Sequence, residues 1–211
     1  MKALGTCPPI RPKRITCLVD ELNKQSNESG VAPIQVLDLA NGPIQSFKDI
    51  LVGKLVSDDI AERIHYNGYD TDGVTQDQNR IWVDEVQTRG TYTFHAAEAV
   101  ETPFQGPNHD QQYNIAYGTG FFDYLPDDFL VKYWKQIYAA LAPGGSLIIS
   151  LKDSDRYHAQ SYQYLVRWDQ FYQRNQAHFE GLLDQAFGGK DPERCVRDET
   201  GIILFYVVRK D

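Results

Sequence analysis

Cysteine is scarce in this chain, histidines are never paired, and glycine is thin where it would be most informative. The three cysteines among 211 residues, Cys7, Cys17 and Cys195, are odd in number, far apart and in no C-x-x-C spacing. Neither a disulfide framework nor a thiolate metal site is expected, and a reducing compartment is. His65, His95, His109, His158 and His178 form no HxxxH or HExxH pattern, so no metal is predicted. Positive charge is not in excess: the net charge of −8 argues against a nucleic-acid partner, whose phosphates are held by cations. No run approaches the roughly 18 apolar residues of a membrane span. The basic residues Lys2, Arg11, Lys13 and Arg14 are followed by no apolar h-region, so no secretory signal is expected and the predicted location is cytoplasmic. There is also no internal repeat, low-complexity tract or long linker. One domain over residues 1–211 is expected, with a helical extension at 1–30 and inserted helices at 152–190.

What is present alternates. Ile15, Leu18, Val19 and Leu22 recur at helical intervals over residues 14–25, and "SNESG" is expected to break that helix. A strand, "IQVLDL", follows. Then come a helix on Ile44, Phe47, Ile50 and Leu51, a strand "RIHYNGYDTD", and a helix from residue 77 packed by Ile81, Trp82 and Val86. "TYTFHAAEAVETPF" reads as a strand running into a turn, and "YNIAYGTG" as another strand. A helix from about Pro126 to Leu141 has acids in its first turn, where the dipole favours them, and "APGG" is expected to stop it before the strand "SLIISL". This alternation predicts an α/β fold with a parallel sheet covered on both faces. Two aromatic-rich helices are expected between about 160 and 187. "RCVRDETGIILFYVVRK" then leaves room only for an antiparallel pair, which brings the sheet to seven strands.

In such a sheet ligands sit beyond the strands' C-terminal ends, where strand order reverses. The turn after the first strand, Ala40-Asn41-Gly42, is small enough for backbone N–H groups to approach a ligand. Asp70 ends the second strand, where ribose hydroxyls are held. Glu98 follows the third, placed either to reach an adenine edge or to face water.

The ordered set "VLDLANGPI", "GYDTD", "HAAEAVETPF", "YNIAYGTGFFDYLPDD" and "LAPGGSLIIS" resembles the class I S-adenosylmethionine-dependent methyltransferases over roughly residues 34–151. The resemblance implies a Rossmann-like sandwich with S-adenosyl-L-methionine as cofactor. It implies that Asp38 and the backbone of Ala40, Asn41 and Gly42 flank the methionine portion. Asp70 with Thr71 would take the ribose, Glu98 with Ala99 would line the adenine, and Gly118 and Thr119 would face the sulfonium. Ala40 stands where that family usually has its first glycine, Ile44 where it has the third, and Asn114 where it often has Asp. A narrower set, "LDLANGP", "GFFDYLPDDF", "DRYHAQSYQYLVRWDQFYQR" and "RDETGIILFYVVRK", resembles bacterial 3-hydroxypalmitic acid methyl ester synthases. That implies a small or fatty-acid-like acceptor.

The chemistry is in-line methyl transfer, in which orientation supplies roughly 7–11 kcal/mol. A carboxylate acceptor is already ionised at neutral pH and needs no base, whereas a hydroxyl would want one. No residue pair reads as an obligatory acid–base dyad, which favours O-methylation of a carboxylate. Asp123, Tyr124 and His158 are the candidate catalytic residues, Asp123 being equally suited to capping backbone donors. Tyr162, Trp168, Tyr172 and Arg174 are candidates for substrate, with Tyr157 nearby. The aromatic residues fit core packing as readily, and Arg174 a surface ion pair. Two rivals remain at this level: a nicotinamide-dependent oxidoreductase, which lacks its G-x-G-x-x-G here, and a methyltransferase fold that has lost its cofactor and serves as a partner module. Oligomeric state is open, a homodimer included.

Overall fold

The structure is a computed structural model that describes residues 13–105, 110–157 and 171–211. Its elements run α1 (Lys13–Ser29), β1 (Ile34–Leu39), α2 (Gln45–Val52), α3 (Asp58–Arg63), β2 (Ile64–Asp70), α4 (Gly73–Glu85), β3 (Thr91–Ala96), β4 (Tyr113–Gly118), α5 (Asp127–Ala140), β5 (Leu141–Lys152), α6 (Gln176–Phe187), β6 (Arg194–Arg197) and β7 (Ile203–Arg209). The strands form one seven-stranded sheet in the order β3-β2-β1-β4-β5-β7-β6. β1 to β5 pair in parallel, and β7 runs antiparallel to both β5 and β6. This is the Rossmann-like class I methyltransferase architecture expected from the sequence. Strand order reverses between β1 and β4, which puts the ligand crevice above those two strands.

Side chains alternate across the pleat, so each strand feeds two cores. Leu37, Leu39, Leu147, Ile149 and Tyr206 pack with α5 and α6 on one face. Val36, Ile115, Ile148 and Val207 pack with α1 and α2 on the other. Asp38 has the parity of Val36 and so points to the α1–α2 side, where Tyr66 of β2 and Tyr117 of β4 meet it.

Four local expectations are corrected. α1 runs through "SNES" to Ser29, because Arg63 donates to Ser26 (2.8 Å) and Ser29 (2.9 Å) and fixes that turn from outside. The α1 residues Ile15, Cys17, Leu18 and Leu22 are buried, and Glu21 accepts from Ser146 (2.6 Å), so the helix is part of the core. α4 begins at Gly73, earlier than its apolar residues imply, because Asp72 caps it by accepting from the Val74 and Thr75 N–H groups. Its buried side is polar: Gln76 and Asn79 point inward, while Ile81 and Val86 are exposed and Trp82 is only partly covered. α3, capped by Ser57, is too short to show a period. "APGG" belongs to the irregular start of β5, whose register against β4 shifts there. Of the two helices expected at 160–187, the later one is α6 and the earlier lies outside the described residues.

Candidate active site

The turn leaving β1 keeps a glycine-loop backbone without the glycines. Ala40, Gly42 and Ile44 have φ of 55°, 49° and 47°, all left-handed. For Ala40 and Ile44 that conformation costs roughly 1–2 kcal/mol each, and a β-branched residue there is a genuine outlier. Ile44 is 2% exposed because its side chain turns into the α1–α2 core. A polar network holds the strain. Gln76 donates to Asn41 Oδ1 (2.8 Å), while Asn41 (2.8 Å) and Asn79 (2.7 Å) both donate to the Gly42 carbonyl. Gly68 makes room for it, since a Cβ there would lie 2.9 Å from Asn41 Oδ1.

Asp70 is half-buried beside this turn. Its carboxylate accepts the Gly42 N–H at 3.1 Å and the Asp72 N–H at 3.0 Å, one on each oxygen. A carboxylate offers about four acceptor sites, so capacity for hydroxyl donors remains. Asp38 is buried and accepts from the hydroxyls of Tyr66 (2.6 Å) and Tyr117. Burial pushes its carboxyl up to about 7, against the lowering by the Tyr117 and Tyr66 hydroxyls.

Two cavities meet at Ala40 and Thr119. The smaller, about 240 Å³, is lined by Asp38, Ala40, Asn41, Gly42, Tyr117 and Thr119, with Arg14 from α1. The larger, about 610 Å³, is lined by Ala40, Thr119, Asp123, Tyr124, Lys152, Tyr157, Phe171 and the β6–β7 turn. The left-handed backbone, Asp70 and the paired cavities at the switch point fit an adenosyl sulfonium.

Other candidates line neither cavity. Gly118 is buried under Phe122, whose ring leaves only 3.2 Å for a Cβ. Thr71 and Glu98 are exposed at the strand ends, and the carbonyl of buried Ala99 accepts from the Tyr133 hydroxyl (2.5 Å). Asn114 lies at the opposite end of β4, accepting from Gln35 N–H (2.8 Å). Tyr172 is 47% exposed and does not line the larger cavity. Arg174 makes neither a substrate clamp nor a surface pair. It is 1% exposed and donates to Asp127 (2.7 Å) and to the carbonyls of Phe122 (3.3 Å) and Leu125. Its role is to pin the β4–α5 turn. His158, Tyr162 and Trp168 lie outside the described residues.

Asp123 is 4% exposed in the wall of the larger cavity. Burial lifts its carboxyl to about 6, opposed by the charges of Lys152 and Arg174 and by the Lys152 backbone N–H. Lys152, at the end of β5, was missed from the sequence. Its Nζ lies 4.6 Å from the Tyr157 ring centre and 4.2 Å from that of Phe171, a stabilised cation at the cavity wall. A lysine closing an apolar strand at its ligand end was the available signal.

The fold is that of S-adenosylmethionine-dependent methyltransferases. Among solved structures, the chain is similar to magnesium protoporphyrin IX methyltransferase from Synechocystis PCC 6803 with bound S-adenosylmethionine. Identity is 13%, TM-score 0.61, and the match covers 94% of this chain and 79% of that one. It is also similar to an S-adenosylmethionine-dependent methyltransferase from Clostridium acetobutylicum, at 12% identity and TM-score 0.59, over 93% and 92% of the two chains. A third is the Burkholderia thailandensis 1,6-didemethyltoxoflavin-N1-methyltransferase, at 20% identity and TM-score 0.60, over 90% and 76%. No family model and no curated protein matches the chain. No helix among the described residues is long and apolar enough to cross a membrane.

Proposed function

We propose that this chain is an S-adenosyl-L-methionine-dependent methyltransferase that methylates an oxygen of a small, largely apolar acceptor. The observation that carries the reading is the junction of two cavities at Ala40 and Thr119, beside a left-handed turn at the switch point of the sheet. When bound, S-adenosyl-L-methionine supplies a methyl group made electrophilic by its sulfonium. Asp70 would accept from the ribose hydroxyls, with Thr71 beside it, and Glu98 and Ala99 would border the adenine. Arg14 and Asp38, a cation and an acid in one small cavity, would hold the charged ends of the amino-acid portion. Thr119, which lines both cavities, would face the sulfonium. The larger cavity would orient the acceptor and keep water from it, and orientation is where most of the rate arises.

Two acceptor forms fit this cavity. One is the carboxylate anticipated from the sequence, such as that of a hydroxy fatty acid, which Lys152 supports as a counter-ion. The other is a hydroxyl, which needs a base. Isothermal titration with S-adenosylhomocysteine tests the cofactor reading. Saturable heat in the micromolar range is expected, and silence at hundreds of micromolar would remove the reading.

A further inference from the structure

The oxygen Oδ1 of Asp123 is buried and, among the described residues, has no hydrogen-bond partner. Leaving such an atom unmet costs about 1–3 kcal/mol, and among the described residues with one Asp123 alone lines the larger cavity, where a bound molecule can complete the bonding. The charged groups around it have settled roles. The Lys152 backbone N–H donates to the Asp123 carboxyl, and the Lys152 ammonium lies over Tyr157 and Phe171 in the same cavity. Arg174 is engaged with Asp127, Phe122 and Leu125. Asp198, on the β6–β7 side, already accepts from Thr200 (2.7 Å), Ile202 (3.0 Å) and Ile203 (2.9 Å).

We propose that Asp123 is the proton acceptor for a hydroxyl-bearing methyl acceptor, an alcohol or phenol with an apolar body, and that Lys152 stabilises the oxyanion as it forms. This rests on the cofactor reading above and narrows it. A free carboxylate would bring a second negative charge beside Asp123 and has no hydrogen for Oδ1, whereas a hydroxyl supplies one. Asp123 and Lys152 together are near-neutral, which suits an uncharged molecule, and Phe121, Tyr124 and Phe171 suit an apolar one. As the acceptor oxygen bonds to the methyl carbon, its proton passes to Oδ1 and the carbon–sulfur electron pair stays on sulfur. One proton reaches solvent for each methyl transferred.

The test compares matched acceptors on one apolar skeleton, 4-alkylphenols and alkanols against alkylbenzoic and alkanoic acids, by release of S-adenosylhomocysteine. Wild type, Asp123→Asn and Lys152→Met are assayed, with binding of S-adenosylhomocysteine measured for each. Hydroxyl compounds are expected to be turned over, with kcat falling roughly 10²-fold or more in Asp123→Asn at unchanged S-adenosylhomocysteine affinity. The wild-type kcat should rise with pH along a limb near 6 that Asp123→Asn lacks and Lys152→Met moves upward. Turnover of the acids alone, or hydroxyl turnover by Asp123→Asn at the wild-type rate, overturns the assignment. A readout independent of turnover is the carbon-13 titration of the Asp123 carboxyl. A raised value that climbs further in Lys152→Met supports the pair, and an ordinary aspartate value indifferent to Lys152 overturns it. Loss of S-adenosylhomocysteine binding in the wild type itself would instead overturn the cofactor reading beneath both.

Discussion

The turns after β1 and β4 both border the larger cavity and use their polar groups differently. After β1, Asn41, Gln76, Asn79 and Asp70 bond to one another and to the Gly42 backbone. The turn is held in its left-handed shape by these bonds, with Asn79 Oδ1 left without a partner among the described residues. After β4, Asp123 lines the larger cavity and has one buried oxygen without a partner among the described residues, while Arg174 secures the backbone around it. One wall is a bonded network that sets shape; the other brings a buried carboxylate to the larger cavity. Satisfied networks rigidify, and an open buried acceptor invites a ligand.

The strongest way to break the contrast is Arg174→Ala, which strips Asp127 and two carbonyls of a buried partner. A loss of about 3–5 kcal/mol in unfolding free energy is expected from urea denaturation. A loss below about 1 kcal/mol would reduce Arg174 to the worth of a surface pair.

Asp38→Asn comes next, through pH. Because burial raises Asp38, the folded state holds its proton more tightly than the unfolded chain does. The stability this confers is complete below the ordinary carboxylate value and is lost as pH rises to about 7. Measured against wild type, the variant should gain with pH across that window by at most about 1.4 kcal/mol per unit, and then level off. A flat difference would show that Asp38 titrates normally.

Asp70→Ala should weaken S-adenosylhomocysteine binding by about 1–3 kcal/mol in calorimetry, and unchanged affinity would take Asp70 out of the site. Smallest is Ala40→Gly, expected to stabilise by up to about 1 kcal/mol because glycine adopts φ near 55° without a Cβ clash. Destabilisation, read as a lower urea midpoint, would mean that the Ala40 methyl earns its place by packing.

The sheet was legible because its strands are apolar runs of the right length ending in turn residues, and the close spacing of β6 and β7 allows only an antiparallel pair. α4 was misread at its start because its inward positions are Gln76 and Asn79, which break the apolar period, while Ile81 and Val86 face water. Polar burial of that kind is specified by the turn it supports, a tertiary fact that no local pattern carries. The β1 turn and Asp123 were found from their position after a strand. Lys152 lies just past the run "SLIISL" and belongs to no motif, and the sequence offers Arg174 only a substrate clamp or a surface pair because arginine is rarely so covered. Its three acceptors come from residues 122–127, some fifty positions away.

Ser154 N–H donates to the Arg174 carbonyl (2.9 Å) and Tyr172 N–H to the Asp123 carbonyl (2.8 Å), so the backbone after β5, the backbone before α6 and the turn after β4 are tied together beside the larger cavity. Three segments distant along the chain thus share one anchor, and a backbone change in any of them is transmitted to the other two.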